Sequence, residues 1–557
     1  MLTRGNRRLF SSWGGSFKLP AITGEPMMNY APNSPERARL VDALKQGRSE
    51  CVEIPCVVNG KEYFTGDTFY QTMPSDHGQK LAKVHRATPE LVQLAIKTAN
   101  EARKEWASMP FNHRAMIFRK AADLTAGKYR ARINAATMLG QGKTAWQAEI
   151  DSAAESVDFL RVNTSFAEDI YSVQPPLNAP GVWNRLEYRE LEGFVVAISP
   201  FNFTAIGCNL VAAPALMGNT VIWKPATTAV LANYVTYEIF MEAGMPVGVC
   251  SFLPGSGRVI GESINHPDFA GLHFTGSTAT FNTLWSQISS NINAYKGYPR
   301  IVGETGGKNF HLLHPSCDID HAVFGTIRSA FEYQGQKCSA CSRMYVPKSK
   351  WAEVKEKLLA AHSRITMGQT DDMEKFMSAV IDSAAFKSHT DYINGAHEST
   401  ECEVIAGGKT DDSVGYFVDP TIIVTSNPKY TTMVEEIFGP VLSVYVYDDS
   451  ATSYWEDVMH LIDTSTPYGL TGAVFSRDRA PFVSASEGLR HACGNFYWND
   501  KSTGAVVGEQ PFGGARGSGT NDKAGSHLNL LRWVSARTVK ENNIHLTDFT
   551  YPHMNKE

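Results

Sequence analysis

Two cysteine thiols separated by two residues, Cys338 and Cys341, are the clearest candidates for covalent chemistry in this chain. Such a pair can act as a redox couple, form part of a metal site, or contain one nucleophile beside an inert thiol. Structural zinc needs four ligands, and the other close pair, Cys51 and Cys56, has a different spacing. A redox couple is typical of a small thioredoxin-like unit, whereas this pair lies deep in a long chain. A single nucleophile therefore competes with the simpler alternative of two buried, inert thiols.

An acidic residue among glycines is the second candidate. Glu304 precedes Gly306 and Gly307 and lies 34 residues before Cys338. Glycines allow close approach of the backbone to a ligand, and a carboxylate can act as a general base. Taken alone, Glu304 is more simply a solvated charge, so its role depends on what the fold places beside it.

The elements that must position these residues alternate between strand and helix patterns. We predict strands at 194–198, 220–223, 249–253 and 271–274, with helices after residue 202 to about 217 and at 229–243. This alternation predicts a parallel, doubly wound sheet, on which ligands bind at the carboxyl ends of the strands. Asn202, Lys224, Gly255 and Gly276 all follow predicted strands, so they should converge on one edge.

The same alternation restarts after Gly307. Strands are predicted at 309–313 and 342–346 and helices at 319–331 and 351–365, which indicates a second α/β domain. Upstream, 89–108 and 112–129 have amphipathic helical patterns, and 173–189 is proline-rich and extended.

An uncharged stretch of 31 residues, 193–223, is long enough to cross a bilayer. Pro200 and Pro214 interrupt it, asparagines are scattered through it, and no basic cluster flanks it. We therefore predict no membrane span.

The composition of the whole chain favours a small-molecule function. Its 557 residues are 43% hydrophobic and 20% charged, as in soluble globular proteins. A net charge of -5 offers no basic surplus for nucleic acid or acidic membranes. Nine cysteines form no dense disulfide framework, which fits a reducing compartment.

Six short stretches, in order along the chain, resemble the aldehyde dehydrogenase family. They are Pro200-Phe201-Asn202-Phe203, Trp223-Lys224-Pro225, Phe274-Thr275-Gly276-Ser277, Glu304-Thr305-Gly306-Gly307-Lys308, Gly335-Gln336-Lys337-Cys338 and Glu435-Glu436-Ile437-Phe438-Gly439-Pro440. The resemblance covers roughly residues 60 to 540. It implies an aldehyde dehydrogenase-like α/β fold with a doubly wound cofactor-binding domain, a second α/β catalytic domain and a β oligomerisation extension.

The resemblance also assigns catalytic roles. Cys338 is the expected nucleophile, whose thiolate adds to the aldehyde carbon. The side-chain amide of Asn202 and the backbone N–H of Cys338 are expected to stabilise the resulting oxyanion. Glu304 resembles the general base that activates water to hydrolyse the thioester. Because the cysteine pairs do not supply a four-ligand set, we predict no metal.

The expected cofactor is NAD, although the glycines from Gly255 onwards do not match the G-x-G-x-x-G fingerprint. In the family the pyrophosphate lies near the helix opened by Gly276 and Ser277, where free N–H groups favour an anion. Lys224 is expected to contact the adenosine ribose.

Two further residues are expected at the nicotinamide end: Glu436 to hold the ribose and Phe438 to pack beside it. Thr227 stands where many NAD-specific members have Glu. Because no carboxylate there repels a 2′-phosphate, we also expect measurable use of NADP.

Further stretches are similar to the aldehyde dehydrogenases that oxidise glutamate γ-semialdehyde. They are residues 199–206, 337–343, 500–505 and 510–516. This similarity predicts a zwitterionic amino-acid aldehyde as the substrate, with its carboxylate held by Ser339 and the backbone N–H groups of Gly504 and Ala505.

The remaining expected substrate contacts are hydrophobic or charged. Phe203 and Phe512 should flank the methylene chain, and Lys337 and Glu155 should supply charge nearby. Two alternatives stay open: an enzyme for another semialdehyde, or a relative that binds cofactor without catalysis.

Domain bounds follow from the same reasoning. We predict a transit peptide at 1–24, a cofactor-binding domain at 25–164 and 190–305, a catalytic domain at 306–505, and bridging elements at 165–189 and 506–557. The extension from about residue 165 to 189 is expected to pair with the C-terminal tail of a partner subunit in a homodimer or larger homo-oligomer.

A mitochondrial location is predicted from the N-terminus. Arg4, Arg7, Arg8 and Lys18 precede the first acidic residue, Glu25, as is typical of a peptide that directs a protein to the mitochondrial matrix.

Overall fold

The computed structural model describes residues 18–556, which contain two seven-stranded sheets with helices packed against them. The first sheet contains the strands Cys56–Val58, Lys61–Tyr63, Phe194–Ile198, Thr220–Lys224, Cys250–Phe252, Phe269–Thr275 and Arg300–Glu304. Five of these strands, from Phe194 to Glu304, pair in parallel. After Phe194–Ile198, the next two strands along the chain are added on one side of it. The chain then crosses over, and Phe269–Thr275 and Arg300–Glu304 are added on the other side. The predicted doubly wound sheet is confirmed.

Helices cover both faces of this first sheet and build its N-terminal part. They are Pro35–Ser49, Pro89–Ser108, Phe111–Ala126, Arg130–Gln141, Ala145–Ala148, Glu155–Ser172, Thr204–Leu216, Val230–Ala243, Gly257–Ile264 and Thr278–Ser290. A small sheet of Val52–Ile54, Thr68–Met73 and Asp76–His85 packs alongside them.

Burial in the protein interior explains the long uncharged stretch. Twelve of the thirteen residues of the helix Thr204–Leu216 are buried, and it follows a strand that is itself buried at all but its last position. In residues 18–556, no helix is both long and apolar enough to span a bilayer.

The second sheet contains Asn309–Leu313, Cys341–Pro347, Cys402–Ala406, Thr421–Thr425, Val441–Tyr447, Thr471–Phe475 and Asn495–Trp498. Its strands are parallel except Cys402–Ala406, which is an antiparallel edge strand. The helices Ile319–Phe331, Trp351–His362, Ser383–Glu398, Tyr454–Thr464 and Arg479–Gly488 belong to this half. The predicted domain boundary at 305/306 falls in the short link between the two sheets, and we keep it as a proposal.

The extension differs from its prediction in two ways. Val182–Arg189 pairs antiparallel with Ser535–Asn542 of the same chain, so this pairing with a C-terminal strand does not need a partner subunit. Residues 165–172 are not extended but complete the helix Glu155–Ser172, because Ala167 and Ile170 are buried in the core.

The N-terminal segment is bound to the body of the protein from Leu19 onwards. The backbone N–H of Leu19 donates to Glu168 (2.8 Å), and Arg130 and Arg161 bind the carboxylate of Glu25. Residues 1–17, which hold most of the predicted transit peptide, lie outside the described residues. Its predicted end at residue 24 therefore includes residues that contact the folded chain.

Candidate active site

A cavity of about 330 Å³ lies between the two α/β halves. Nine of the predicted site residues line it: Glu155, Phe203, Glu304, Lys337, Cys338, Ser339, Gly504, Ala505 and Phe512. They come from segments up to 357 positions apart in the chain, so the fold and not sequence proximity brings them together.

Cys338 lies on a short loop that precedes the strand Cys341–Pro347. The carbonyl oxygen of Cys338 accepts a hydrogen bond from Asn309 Nδ2 (2.7 Å), which also donates to the carbonyl of Ala340 (2.8 Å). Asn309 Oδ1 in turn accepts from the Thr471 N–H (3.0 Å). One side chain therefore holds both sides of the nucleophile loop. Sequence analysis missed this role, although Asn309 directly follows the glycine-rich stretch.

Close backbone packing explains the paired glycines. A Cβ atom on Gly307 would lie 2.3 Å from the Cys338 carbonyl oxygen, and one on Gly306 would lie 2.2 Å from Glu436 Oε2. Any larger residue would force the Cys338 loop or Glu436 out of place.

Burial makes Cys338 and Glu304 unusually basic. It raises the pKa of the Cys338 thiol, and the nearby carboxyl groups of Glu304 and Glu436 add to the rise. Burial also raises the pKa of Glu304 to about 8, which the cation of Lys523 only partly offsets. The thiol is therefore neutral at rest, and Glu304 changes protonation close to neutral pH, as a general base should.

Asn202 lies beside the cavity, on the loop between a strand and a helix of the first sheet. Its side chain is buried, and Nδ2 donates one hydrogen bond to the Gln336 carbonyl (3.1 Å), two residues before Cys338. Within residues 18–556 its second N–H has no partner, so it remains free for an oxyanion.

A buried ion pair anchors the Asn202 loop. Lys143 Nζ lies 2.6 Å from Asp151 Oδ2, and both side chains are almost fully buried. The Asp151 carboxylate accepts hydrogen bonds from the backbone N–H groups of Thr204 (3.1 Å) and Ala205 (3.2 Å), at the start of the helix that follows Asn202. Burial lowers the pKa of Lys143 to about 8 despite this pairing.

This pair also supports the cavity wall. The Lys143 ammonium lies 4.0 Å from the centre of the Phe203 ring and 4.5 Å from that of Tyr333. Asp151 lies on a π-helical turn, Glu149–Ala154. A sequence pattern based on the α-helical period does not show which way such a turn directs its side chains, so the pair was not foreseen.

The expected carboxylate-binding residues form a connected group. Ser339 Oγ donates to Thr503 Oγ1 (2.8 Å), and Ser502 Oγ donates to the Ser339 carbonyl (3.1 Å). Within the described chain, the backbone N–H groups of Gly504 and Ala505 have no hydrogen-bond partner. The loop is therefore held in place while two of its donors stay free.

Lys337 and Glu155, the two charged residues expected near the substrate, do not both carry a free charge. Lys337 Nζ lies 3.3 Å from Glu332 Oε2, so its ammonium is already paired. Burial, with the charge of Asp151, raises the pKa of Glu155 well above its usual range and favours its neutral form.

The expected cofactor residues lie at the carboxyl ends of the first sheet's strands. Ser277 begins the helix Thr278–Ser290 and accepts from the Thr280 N–H, leaving other N–H groups of that first turn for an anion. Gly255 (φ 149°) lies two residues before the helix Gly257–Ile264, and Lys224 ends the strand Thr220–Lys224.

Glu436 and Phe438 join this region to the Cys338 loop. A carboxylate oxygen of Glu436 accepts from the Gly307 N–H (2.7 Å), and burial raises the pKa of Glu436 to about 7. The Phe438 ring packs edge-on against Phe201, with centroids 5.8 Å apart. A carboxylate for a ribose diol, helix N-termini for phosphates and an aromatic wall together fit a dinucleotide.

Comparison with known proteins decides the family. Residues 63–539 match the aldehyde dehydrogenase family. The chain belongs to that family. The chain therefore has the aldehyde dehydrogenase fold that the sequence predicted.

Several relatives of this aldehyde dehydrogenase share one name. Delta-1-pyrroline-5-carboxylate dehydrogenase, mitochondrial, of Dictyostelium discoideum is 54% identical over 99% of both chains. The human protein of the same name is 50% identical, covering 96% of this chain and 94% of the relative. The crystal structure of the Mycobacterium tuberculosis enzyme bound with NAD has a TM-score of 0.94 and 46% identity, covering 98% of this chain and 100% of that one.

Proposed function

We propose that this aldehyde dehydrogenase oxidises L-glutamate γ-semialdehyde, the open form of Δ1-pyrroline-5-carboxylate, to L-glutamate with NAD, the second oxidation of proline catabolism. The observation that carries the proposal is one cavity that joins a nucleophilic cysteine to a loop with two free backbone donors. The similarity to Delta-1-pyrroline-5-carboxylate dehydrogenases over nearly the whole chain supports it.

The first chemical step forms a bond between Cys338 Sγ and the aldehyde carbon. The thiol proton is lost to solvent as this bond forms, and Glu304 acts as the base of the second step. The carbonyl oxygen becomes an oxyanion, which receives hydrogen bonds from the free N–H of Asn202 and from the Cys338 backbone. NAD, when bound, supplies the acceptor for the hydride that must leave this carbon.

The second step cleaves the thioester on Cys338. Water adds to the acyl carbon while Glu304 takes its proton, and the carbon–sulfur bond breaks to release glutamate and the thiol. Because Asn309 holds the Cys338 loop through hydrogen bonds to the carbonyls of Cys338 and Ala340, the acyl carbon stays in the same place during both steps.

Substrate recognition uses the loops of the second half. The substrate carboxylate fits the free N–H groups of Gly504 and Ala505, and the Ser339 hydroxyl can donate to it after turning away from Thr503 Oγ1. Phe203 and Phe512 enclose the methylene groups. Lys337 and Glu155 act as hydrogen-bonding groups of the cavity rather than as free charges, since one is paired and burial favours the neutral form of the other.

The cofactor would be held by residues of both halves. Ser277 and Gly276 would lie at the pyrophosphate, Gly255 and Lys224 at the adenosine end, and Glu436 and Phe438 at the nicotinamide end. The exposed Thr227 places no carboxylate near a 2′-phosphate. NAD and NADP kinetics measured side by side test the expected use of NADP, and a preference for NAD above about 10⁴-fold contradicts it.

A panel of aldehydes tests the proposed substrate. We expect kcat/KM for glutamate γ-semialdehyde to exceed that for succinate semialdehyde, aminoadipate semialdehyde and propanal, because analogues leave buried donors unpaired. Equal values for propanal or succinate semialdehyde would refute the proposed substrate. The family assignment would stand.

Location and assembly belong to the same proposal. Relatives with about 50% identity are named as mitochondrial, which supports a mitochondrial matrix enzyme with a removable N-terminal peptide. A reporter carrying residues 1–24 should enter mitochondria, and a cytosolic reporter refutes this. We further propose a homo-oligomer, which light scattering of the purified protein tests.

A further inference from the structure

Lys501 is a charged residue of the cavity that the site described above does not use. It lies on the loop after the strand Asn495–Trp498, its side chain is half-buried, and it lines the same cavity as Cys338. A Cβ atom placed on Gly504 would lie 2.9 Å from Lys501 Nζ. The ammonium therefore lies close to the backbone of Gly504, one of the two residues whose N–H groups are free.

No carboxylate among the described residues neutralises this ammonium. Within residues 18–556, Lys501 Nζ has neither a hydrogen bond nor an ion pair. Asp500, the adjacent acid, accepts from the backbone N–H of Lys501 instead (2.7 Å). Glu332, which also lines the cavity, is paired with Lys337. A cation left unpaired beside two unpaired N–H groups forms an anion-binding site.

Buried hydrogen bonds hold the loop in this conformation. The Ser502 N–H donates to His311 Nε2 (3.1 Å), and Ser502 Oγ bonds to Ser329 Oγ (3.0 Å) and to the Ser339 carbonyl. Burial lowers the pKa of His311 to about 3 and so keeps its ring neutral. Because Nε2 accepts from the Ser502 N–H, the ring proton lies on Nδ1, which is 2.8 Å from Thr326 Oγ1. The donors are therefore arranged before any ligand binds, which reduces the entropic cost of binding.

We propose that Lys501 is a specificity-determining residue whose ammonium binds the substrate carboxylate together with the Gly504 and Ala505 N–H groups. This inference rests on the proposed function, because it requires an aldehyde that carries a carboxylate. Hydrogen bonds to a charged donor are stronger than those to a neutral N–H. Lys501 therefore separates anionic from neutral aldehydes more than the backbone donors do.

Three variants test the role of Lys501. Lys501→Met removes the charge with little change in length, Lys501→Arg keeps the charge, and Lys104→Met changes an exposed, unpaired lysine on the distant helix Pro89–Ser108. For each we measure kcat and KM with glutamate γ-semialdehyde and with propanal, the inhibition constant of glutarate, and the melting temperature. Should Lys501→Met accumulate poorly, Lys501→Gln replaces it.

We expect Lys501→Met to lower the ratio of kcat/KM for the semialdehyde to kcat/KM for propanal about tenfold, mainly through a higher KM for the semialdehyde. The inhibition constant of glutarate should rise by a similar factor. Lys501→Arg should recover most of this ratio, and Lys104→Met should leave it unchanged. An unchanged ratio, or an equal loss for both aldehydes, refutes the inference. If the wild-type protein shows no preference for the semialdehyde, the proposed substrate fails instead, so the two failures are distinguishable.

Discussion

The two ends of the cavity are built on different principles. At the reaction end, formed by Cys338, Glu304 and Asn202, hydrogen bonds from other parts of the protein hold the loops. Burial also shifts the pKa values of the thiol and the carboxyl group. At the selection end, formed by Lys501, Gly504, Ala505 and Phe512, the Lys501 ammonium and the N–H groups of Gly504 and Ala505 have no partner within residues 18–556.

This difference follows from what each end must do. Groups that form and break bonds need positions accurate to a fraction of an ångström, so the fold holds them tightly. Groups that recognise a substrate need free donors, so the fold secures only the loop that carries them. Changes at the reaction end should therefore lower kcat, and changes at the selection end should raise KM.

Removing the nucleophile should have the largest effect. Cys338→Ala should lower aldehyde oxidation by at least about 10⁴-fold, because no other group forms the covalent bond, while NAD binding remains. Reduced cofactor is measured by absorbance and NAD binding by calorimetry. The control is Cys341→Ala, whose thiol is buried in the hydrophobic core of the second α/β half and hydrogen-bonds to the Arg343 carbonyl (3.6 Å). An inactive Cys341→Ala with an active Cys338→Ala would reverse the assignment.

Glu304→Gln should separate the two chemical steps. We expect a first burst of reduced cofactor followed by turnover about 10³-fold slower, because the thioester forms but is not hydrolysed. Rapid-mixing absorbance measures both phases. Loss of the burst in a folded variant would show that Glu304 also deprotonates Cys338.

The position of the nucleophile loop should matter almost as much as its chemistry. Asn309→Asp keeps an acceptor for the Thr471 N–H but loses the donor to the carbonyls of Cys338 and Ala340. We expect kcat to fall about 10²-fold with a small change in KM, because the sulfur is displaced. An effect on KM alone would show that Asn309 does not position the reaction end.

The pH dependence of hydrolysis tests the environment of Glu304. Its pKa is raised to about 8 in the folded protein, so the basic carboxylate is lost as pH falls below that value. We therefore expect the rate of thioester hydrolysis in the wild-type protein to rise with pH, about tenfold per pH unit below the pKa, and to level off above it. In Glu304→Gln this dependence should disappear; its persistence would assign it to another group.

The smallest effect is expected at the selection end. Phe512→Ala removes an apolar wall whose backbone is held by hydrogen bonds to Ala524 in both directions. We expect KM for the semialdehyde to rise about fivefold with little change in kcat or in NAD affinity. Phe324→Ala, at an exposed phenylalanine in the same half, is the matched control. A fall in kcat alone would mean that the two ends are not separable.

Much of the fold was predictable because its signals are local. The strands at 194–198 and 309–313 and the helices at 89–108 and 319–331 occur at the predicted residues, since apolar periodicity and N-terminal caps act within a few positions. The extension was less predictable. The strand Val182–Arg189 pairs with a segment about 350 residues away, Ser535–Asn542. Only the folded chain shows that this partner strand belongs to the same chain.

The sequence by itself predicted the reactive groups that we propose for this protein. Cys338, Glu304 and Asn202 could be predicted because the family's motifs place particular residue types next to particular glycines and prolines. Their environment was decided only by tertiary structure. The Asn309 bridge, the Lys143–Asp151 pair and the unpaired Lys501 arise where distant segments meet. How deeply a side chain is buried, and whether it has a hydrogen-bond or charge partner, depend on all its neighbours in space. A local sequence pattern therefore cannot predict them.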